Sequence, residues 1–141
     1  MILPLLIGAA AVAATVLLHY FGTVYLSRSL MSEHSYVPER RAIRESVGIL
    51  FVVSCLLVLH FAEIAIYAAI YFLAGLVSDG ETALYFSMAT FTTIGFGDVV
   101  LKAPWRLIST IEGANGLMLF GWSTAFLTSF LSKVRSIQAV P

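Results

Sequence analysis

Three stretches of this chain are too long and too free of charge to be the core helices of an ordinary soluble domain, and they constrain everything between them. Ile2 to Leu26 runs 25 residues without an Asp, Glu, Lys or Arg. Val47 to Leu76 runs 30 residues with Glu63 as its one acid, and Leu107 to Leu131 runs 25 with Glu112 as its one acid. As helices at about 1.5 Å per residue these are roughly 37, 45 and 37 Å long, enough to span a hydrocarbon core of about 30 Å. Inside a bilayer each backbone polar group must be satisfied within the protein, which selects helices over open strands. Composition agrees, since 60% of the 141 residues are hydrophobic and only 11% are charged, far from the usage of soluble globular domains. The first stretch lacks a basic leading segment and exceeds the apolar core of a signal peptide, so it reads as a crossing. The expectation is one all-α integral membrane domain.

Between the second and third stretches the pattern changes. Asp79-Gly80-Glu81 breaks it, and Thr82 to Thr92 resumes it for 11 residues, too short to cross and suited to a re-entrant helix. Next comes Thr92-Thr93-Ile94-Gly95-Phe96-Gly97-Asp98. Gly95 and Gly97 accept positive φ at little steric cost, so successive carbonyls can be turned toward a common axis. Non-helical backbone at membrane depth is tolerated only where it is buried in protein or lines a watery cavity. A glycine-rich loop placed here therefore argues for a pore. A plain turn between two membrane helices needs one or two glycines and no fixed Thr or Asp around them.

Thr93-Ile94-Gly95-Phe96-Gly97-Asp98, the preceding Tyr85-Phe86-Ser87-Met88-Ala89-Thr90-Phe91-Thr92 and the closing apolar helix together resemble the pore-loop potassium channels over roughly residues 47–133. The resemblance implies two transmembrane helices flanking a re-entrant pore helix and a selectivity filter, with one additional N-terminal transmembrane helix, assembled as a homotetramer around a four-fold axis. The implied parts are an outer helix 47–76, a pore helix 82–92, a filter 93–98 and an inner helix 107–131. Residues 1–26 would form the extra helix, 27–46 a basic linker and 134–141 a short tail. Potassium would be the permeant ion, held by the carbonyls of Thr93, Ile94, Gly95 and Phe96 with the Thr93 hydroxyl, and shaped by Gly97. Thr92, Asp98 and Tyr85 would support the filter and its outer mouth, with Asp98 bonded across to Tyr85. Gly116 is the best hinge candidate and Gly121 a second, although close packing explains a helix glycine equally well. Two positions depart from common family usage: Phe96 stands where many members carry Tyr, and Ala89 where many bacterial members carry Glu. The first removes a hydroxyl bond behind the filter, and the second removes any gating that depends on that acid.

The polar segment Ser27 to Ser46 holds Arg28, Arg40, Arg41 and Arg44 against Glu33, Glu39 and Glu45. Pro38 followed by strong helix formers reads as a helix start that runs into the second crossing. Basic residues near the spans divide as Arg28, Arg40, Arg41, Arg44, Lys133 and Arg135 on one side against Lys102 and Arg106 on the other. Cytoplasmic loops carry the basic excess, so the linker and C-terminus are expected inside the cell membrane, and the N-terminus and filter loop outside. The first helix carries no arginine ladder, which leaves a voltage sensor unsupported. No nucleotide-binding or ligand-sensing domain is expected after Val134. The single Cys55 excludes an internal disulfide and reads as a core thiol. Neither nucleic acid nor a soluble substrate is indicated, no cofactor is expected beyond the permeant ion, and the remaining partners are membrane lipids.

His60 and Glu63 stand at i, i+3 near the middle of the second crossing and therefore share a face. An unpaired charge there is costly, so they are expected to face protein, as a packing pair or as a gating pair whose protonation shifts the outer helix on the inner one. Gly8, Ala11 and Thr15 form a narrow small-residue face on the first helix, and His19 lies near its far end. The leading expectation is a passive potassium channel without enzymatic activity. One alternative is a non-conducting membrane partner that keeps the pore-loop fold for assembly. Another is a membrane metalloenzyme using His60, Glu63, Glu112 and His19, although helix-bundle metal sites usually draw on two Glu-x-x-His helices and this chain has one reversed His-x-x-Glu.

Overall fold

In the computed structural model residues 2–31 and 41–136 are described, and all the regular structure among them is helical. Four helices follow in order: α1 (Ile2–Met31), α2 (Arg41–Leu73), α3 (Gly80–Phe91) and α4 (Arg106–Ser136). Within α1 and α2, Ile2–Ser29 and Ser46–Leu73 are each 28 residues long and apolar enough to cross a membrane. At 31 residues α4 is as long. It is more polar, but Glu112, Asn115 and Ser123 are turned inward and buried.

The first helix is built inside out relative to a soluble one. Leu3, Leu6, Leu17, Phe21 and Tyr25 are exposed on its outer sides, while Gly8, Ala11, Thr15, His19 and Thr23 recur at helical spacing along the buried stripe. Lipid is as apolar as leucine, so the outer sides lose nothing by exposure, and small residues on the inner stripe permit close approach. The stripe meets α4: a side chain at Gly8 would press into Ile111. The hydroxyls of Thr15 and Thr23 turn back to Ala11 O and His19 O at 3.0 and 2.8 Å, so neither is left unpaired in an apolar setting.

The second helix begins by Arg41, inside the segment expected to be linker. It ends at Leu73 rather than Leu76 because Gly75 adopts φ 63°. Leu76 N donates to Tyr71 O and Gly75 N to Phe72 O, both at 3.0 Å, the paired bonds of a Schellman stop that only glycine enters without strain. Asp79, part of what the sequence suggests is a break, caps α3: it accepts from Thr82 N at 2.8 Å, so the short helix starts at Gly80. Of the charged residues of the polar segment, Arg28 is exposed in the last turn of α1, and the side chains of the others and of Lys133 and Arg135 lie outside the described residues.

Phe91, fully buried at the last position of α3, joins the short helix to the long ones. Its ring centroid lies 6.4 Å from that of Tyr67 on α2 and 5.6 Å from that of Phe120 on α4. Ile64, Tyr71, Phe86, Ile108 and Leu119 complete this core, and a smaller cluster of Leu26, Val52 and Leu56 sits on Phe126 and Phe130.

Candidate functional site

The loop after α3 alternates in backbone hand. Thr93, Gly95 and Gly97 have φ of 61°, 54° and 81°, and the residues between them do not take positive φ. Alternation of this kind turns successive carbonyls to the same side of the strand, the arrangement a ring of cation-coordinating oxygens requires. The sequence points to Gly95 and Gly97 as the positions for positive φ. It does not point to Thr93, whose β-branched side chain is a genuine outlier in that region and is held there by its surroundings. Thr93 N donates to Thr90 O at 2.9 Å and Gly95 N to Ala89 O at 3.0 Å, so the C-terminal carbonyls of α3 anchor the first half of the loop. Thr92 anchors its own turn, with Oγ1 donating to Met88 O at 2.6 Å.

The second half is anchored through side chains. Tyr85 Oη donates to Asp98 Oδ2 at 2.7 Å, and Val99 N donates to Asp98 Oδ1 at 3.1 Å. The Tyr85 bond holds the Asp98 carboxyl below the usual range, so it keeps its negative charge at the mouth of the loop. Asp79 is lowered further, to about 2, first by the Ser78 hydroxyl and then by Thr82. The Tyr85 ring also lies parallel to that of Phe96, with centroids 6.3 Å apart. Residues 93–98 are all exposed in the single chain, with Ile94 and Phe96 at 59% and 68%.

Behind the loop, α4 passes close under the end of α3. A side chain at Gly116 would collide with the carbonyl of Phe91, and one at Gly113 would stand 3.3 Å from Thr90 O. Close approach therefore accounts for both glycines without a bend. Gly121 has nothing within 4 Å.

The remaining candidates divide into two buried networks. His60 and Glu63 do face protein, and they meet His19 on α1, which the sequence joined to them only as a metal-site alternative, and Ser123 on α4, which it did not link to them. His19, His60 and Glu63 form a group whose donor atoms lie within 4.8 Å of one another. Glu112 stands apart from them, bonded to Tyr71 Oη and Ser87 Oγ at 2.5 Å each. The metal set that combines His60, Glu63 and Glu112 is therefore not assembled. Between the two networks Asn115 Nδ2 donates to Thr15 Oγ1 at 2.8 Å and to Tyr67 Oη at 3.2 Å. The signal that could have drawn His19 in was its register: it continues the small-residue face by one turn from Thr15.

Comparison with known proteins follows the same outline. The profile of a family described as ion channel, Ion_trans_2, matches residues 55–133, which takes in most of α2, all of α3, the loop and most of α4. A calcium-gated potassium channel, TvoK, from Thermoplasma volcanium is 36% identical over 55 residues, which is 38% of this chain and 16% of that protein. The chain thus spans well under two thirds of the length of that relative. No solved structure matches it.

Proposed function

This chain belongs to the ion-channel family Ion_trans_2, and from that premise we propose that it assembles as a homotetramer and conducts potassium selectively across the cell membrane. The observation that carries the reading is the loop 93–98, with positive φ at every second residue and no cover on the single chain. Exposed irregular backbone is not tolerated in lipid, so in the membrane these residues must be covered by other chains or line water. Four copies around an axis supply both: Ile94 and Phe96 are covered by neighbours, and the carbonyls of Thr93, Ile94, Gly95 and Phe96 form stacked rings that replace an ion's hydration shell. Four Asp98 carboxylates ring the entrance and raise the local cation concentration. The similarity to TvoK, a potassium channel by name, supports the choice of ion. The distribution of basic residues supports a topology with the loop and N-terminus outside and the C-terminus inside. The outer helix, pore helix, filter and inner helix correspond to α2, α3, residues 93–98 and α4, with α1 as an addition.

Purified protein in vesicles tests the reading. With opposed potassium and sodium gradients the reversal potential should follow potassium, and native mass measurement should give a tetramer. Gly95→Ala sharpens it: nothing of the chain's own lies within 4 Å of the added Cβ, so within one chain the change acts on the backbone, at about 1–2 kcal/mol per residue forced into the left-handed region. Selectivity should be lost while insertion is kept. A potential set equally by sodium and potassium, or unaltered selectivity in Gly95→Ala, would overturn the carbonyl arrangement.

A further inference from the structure

Glu63 lies wholly inside the protein, and each of its oxygens meets a histidine: Oε1 is 2.7 Å from His19 Nδ1, and Oε2 is 2.7 Å from His60 Nδ1. The far nitrogens of both rings converge on one hydroxyl. His60 Nε2 is 2.9 Å from Ser123 Oγ, and His19 Nε2 is 3.5 Å from the same atom. Four side chains thereby close a ring of four polar contacts that runs from α1 to α2 to α4 and back.

A ring of four hydrogen bonds needs four hydrogens. An ionised carboxylate brings none, each neutral imidazole brings one and the hydroxyl brings one, which makes three. With both Nδ1–H groups given to Glu63 and the Ser123 hydrogen given to His60 Nε2, two lone pairs face each other between His19 Nε2 and Ser123 Oγ. That contact is the longest of the four, at 3.5 Å. One added proton, on His19 Nε2, supplies the missing hydrogen and leaves one imidazolium against one carboxylate. We infer that His19, His60, Glu63 and Ser123 bind a single proton as a unit, that the proton ties α1 to α4, and that pore opening depends on pH through it.

Among the described residues the surroundings offer no other charge for this purpose. The titratable partners of Glu63 are the two histidines. On α1, Thr15 and Thr23 lie a turn to either side of His19 and bond to their own helix. On α2, Tyr67 lies one turn beyond Glu63 and is held by Asn115. On α4, Trp122 covers the His19 ring with centroids 5.3 Å apart, while Glu112 lies about three turns away with Tyr71 and Ser87. From α3 the ring meets the apolar Phe91, 6.1 Å from His60. A divalent metal is the rival occupant of the same three residues. It would displace the hydrogens from both Glu63 contacts and leave a net positive charge, since one carboxylate offsets half of it, in an interior where an uncompensated charge is expensive. A proton leaves the ring neutral and every contact intact.

The dependence of flux on this proton rests on the channel reading above, while the proton site itself does not, and the experiment separates them. The full chain with ¹⁵N-labelled histidine in nanodiscs, in a His34→Gln background, should show one imidazolium and one neutral ring at low pH, and two neutral rings once the single proton is lost as pH is raised. Glu63→Gln should show two neutral rings throughout, because the amide supplies the fourth hydrogen itself. Potassium flux in vesicles should vary with pH in the parent, and Glu63→Gln should conduct with that variation lost. Two neutral rings in the parent at every pH at which it stays folded, stoichiometric zinc in the purified protein, or the same pH response in Glu63→Gln would each overturn the inference. Absence of flux at every pH overturns the channel reading instead, and the spectra then decide the proton site alone.

Discussion

Glu63 and Glu112 are both fully buried acids on long helices, yet they are met by different chemistry. The oxygens of Glu63 face two imidazoles, which carry or release a proton of their own. Those of Glu112 face two hydroxyls, from Tyr71 and Ser87. Ser87 Oγ also lies 2.9 Å from Ile64 O, so this network has three contacts. A protonated Glu112 supplies the third hydrogen beside those of Tyr71 and Ser87, and the network is complete and neutral without help. Glu63 reaches completion only with a proton held in common with two imidazoles, one of them on α1. Burial and residue type are thus the same at both positions, and the partners alone divide a static clamp within α2, α3 and α4 from a site that recruits the additional helix.

Removing each acid should expose that difference, with the larger effect at Glu63. Glu63→Ala strands two imidazole N–H groups and an unpaired imidazolium, and breaking a buried pair from one side costs about 3–5 kcal/mol. Denaturation of the assembled protein in detergent measures it. A loss below about 1 kcal/mol, the scale of an exposed ion pair, would mean that Glu63 is not the counter-charge.

Glu112→Ala should cost less, about 1–3 kcal/mol for the stranded Tyr71 hydroxyl, since Ser87 keeps its bond to Ile64 O. Adding Tyr71→Phe removes the stranded group and should recover part of the loss, so the double variant should be more stable than the sum of the singles predicts. Strict additivity would show that the two side chains are not coupled as their 2.5 Å contact implies.

The comparison also explains how far the sequence could be read. Spans, the short helix and the loop were legible because they rest on local properties: apolar length, a break, and glycines at alternate positions. Where local reading failed, a local rule had been applied too coarsely. Asp79 looked like part of a break and is a cap, and Gly75 stops α2 three residues before its apolar run ends. The networks were hidden for a different reason. His19 and Glu63 are 44 residues apart, His60 and Ser123 are 63 apart, and Thr15 and Asn115 are 100 apart. The register of His19, one turn beyond Thr15, could have placed it on the inner face of α1 but carries no information about which helix that face meets. The His60–Glu63 pair was visible because it is i, i+3, and it is half of a ring whose other half is tertiary. Similarly, Gly116 could be read as hinge or as packing until the carbonyl of Phe91 was found against it.

The smallest expected effect is the sharpest test of the comparison. In Glu112→Gln the amide N–H can donate to Ser87 Oγ while the carbonyl accepts from Tyr71 Oη, which reproduces both hydrogen bonds of the neutral acid and adds one N–H. Stability should change by less than about 1 kcal/mol, the net worth of a single exchanged hydrogen bond. The dependence of flux on pH should match that of the parent, in contrast to its loss in Glu63→Gln. Both substitutions replace one oxygen by an NH₂ at a fully buried position, so differences of size or polarity cannot separate them. A divergence in pH response is then attributable to the histidines around one acid and the hydroxyls around the other. If Glu112→Gln flattened the pH response as Glu63→Gln is expected to, the titrating group would lie on α4 beneath the pore helix, and the division between a static clamp and a proton site would be reversed.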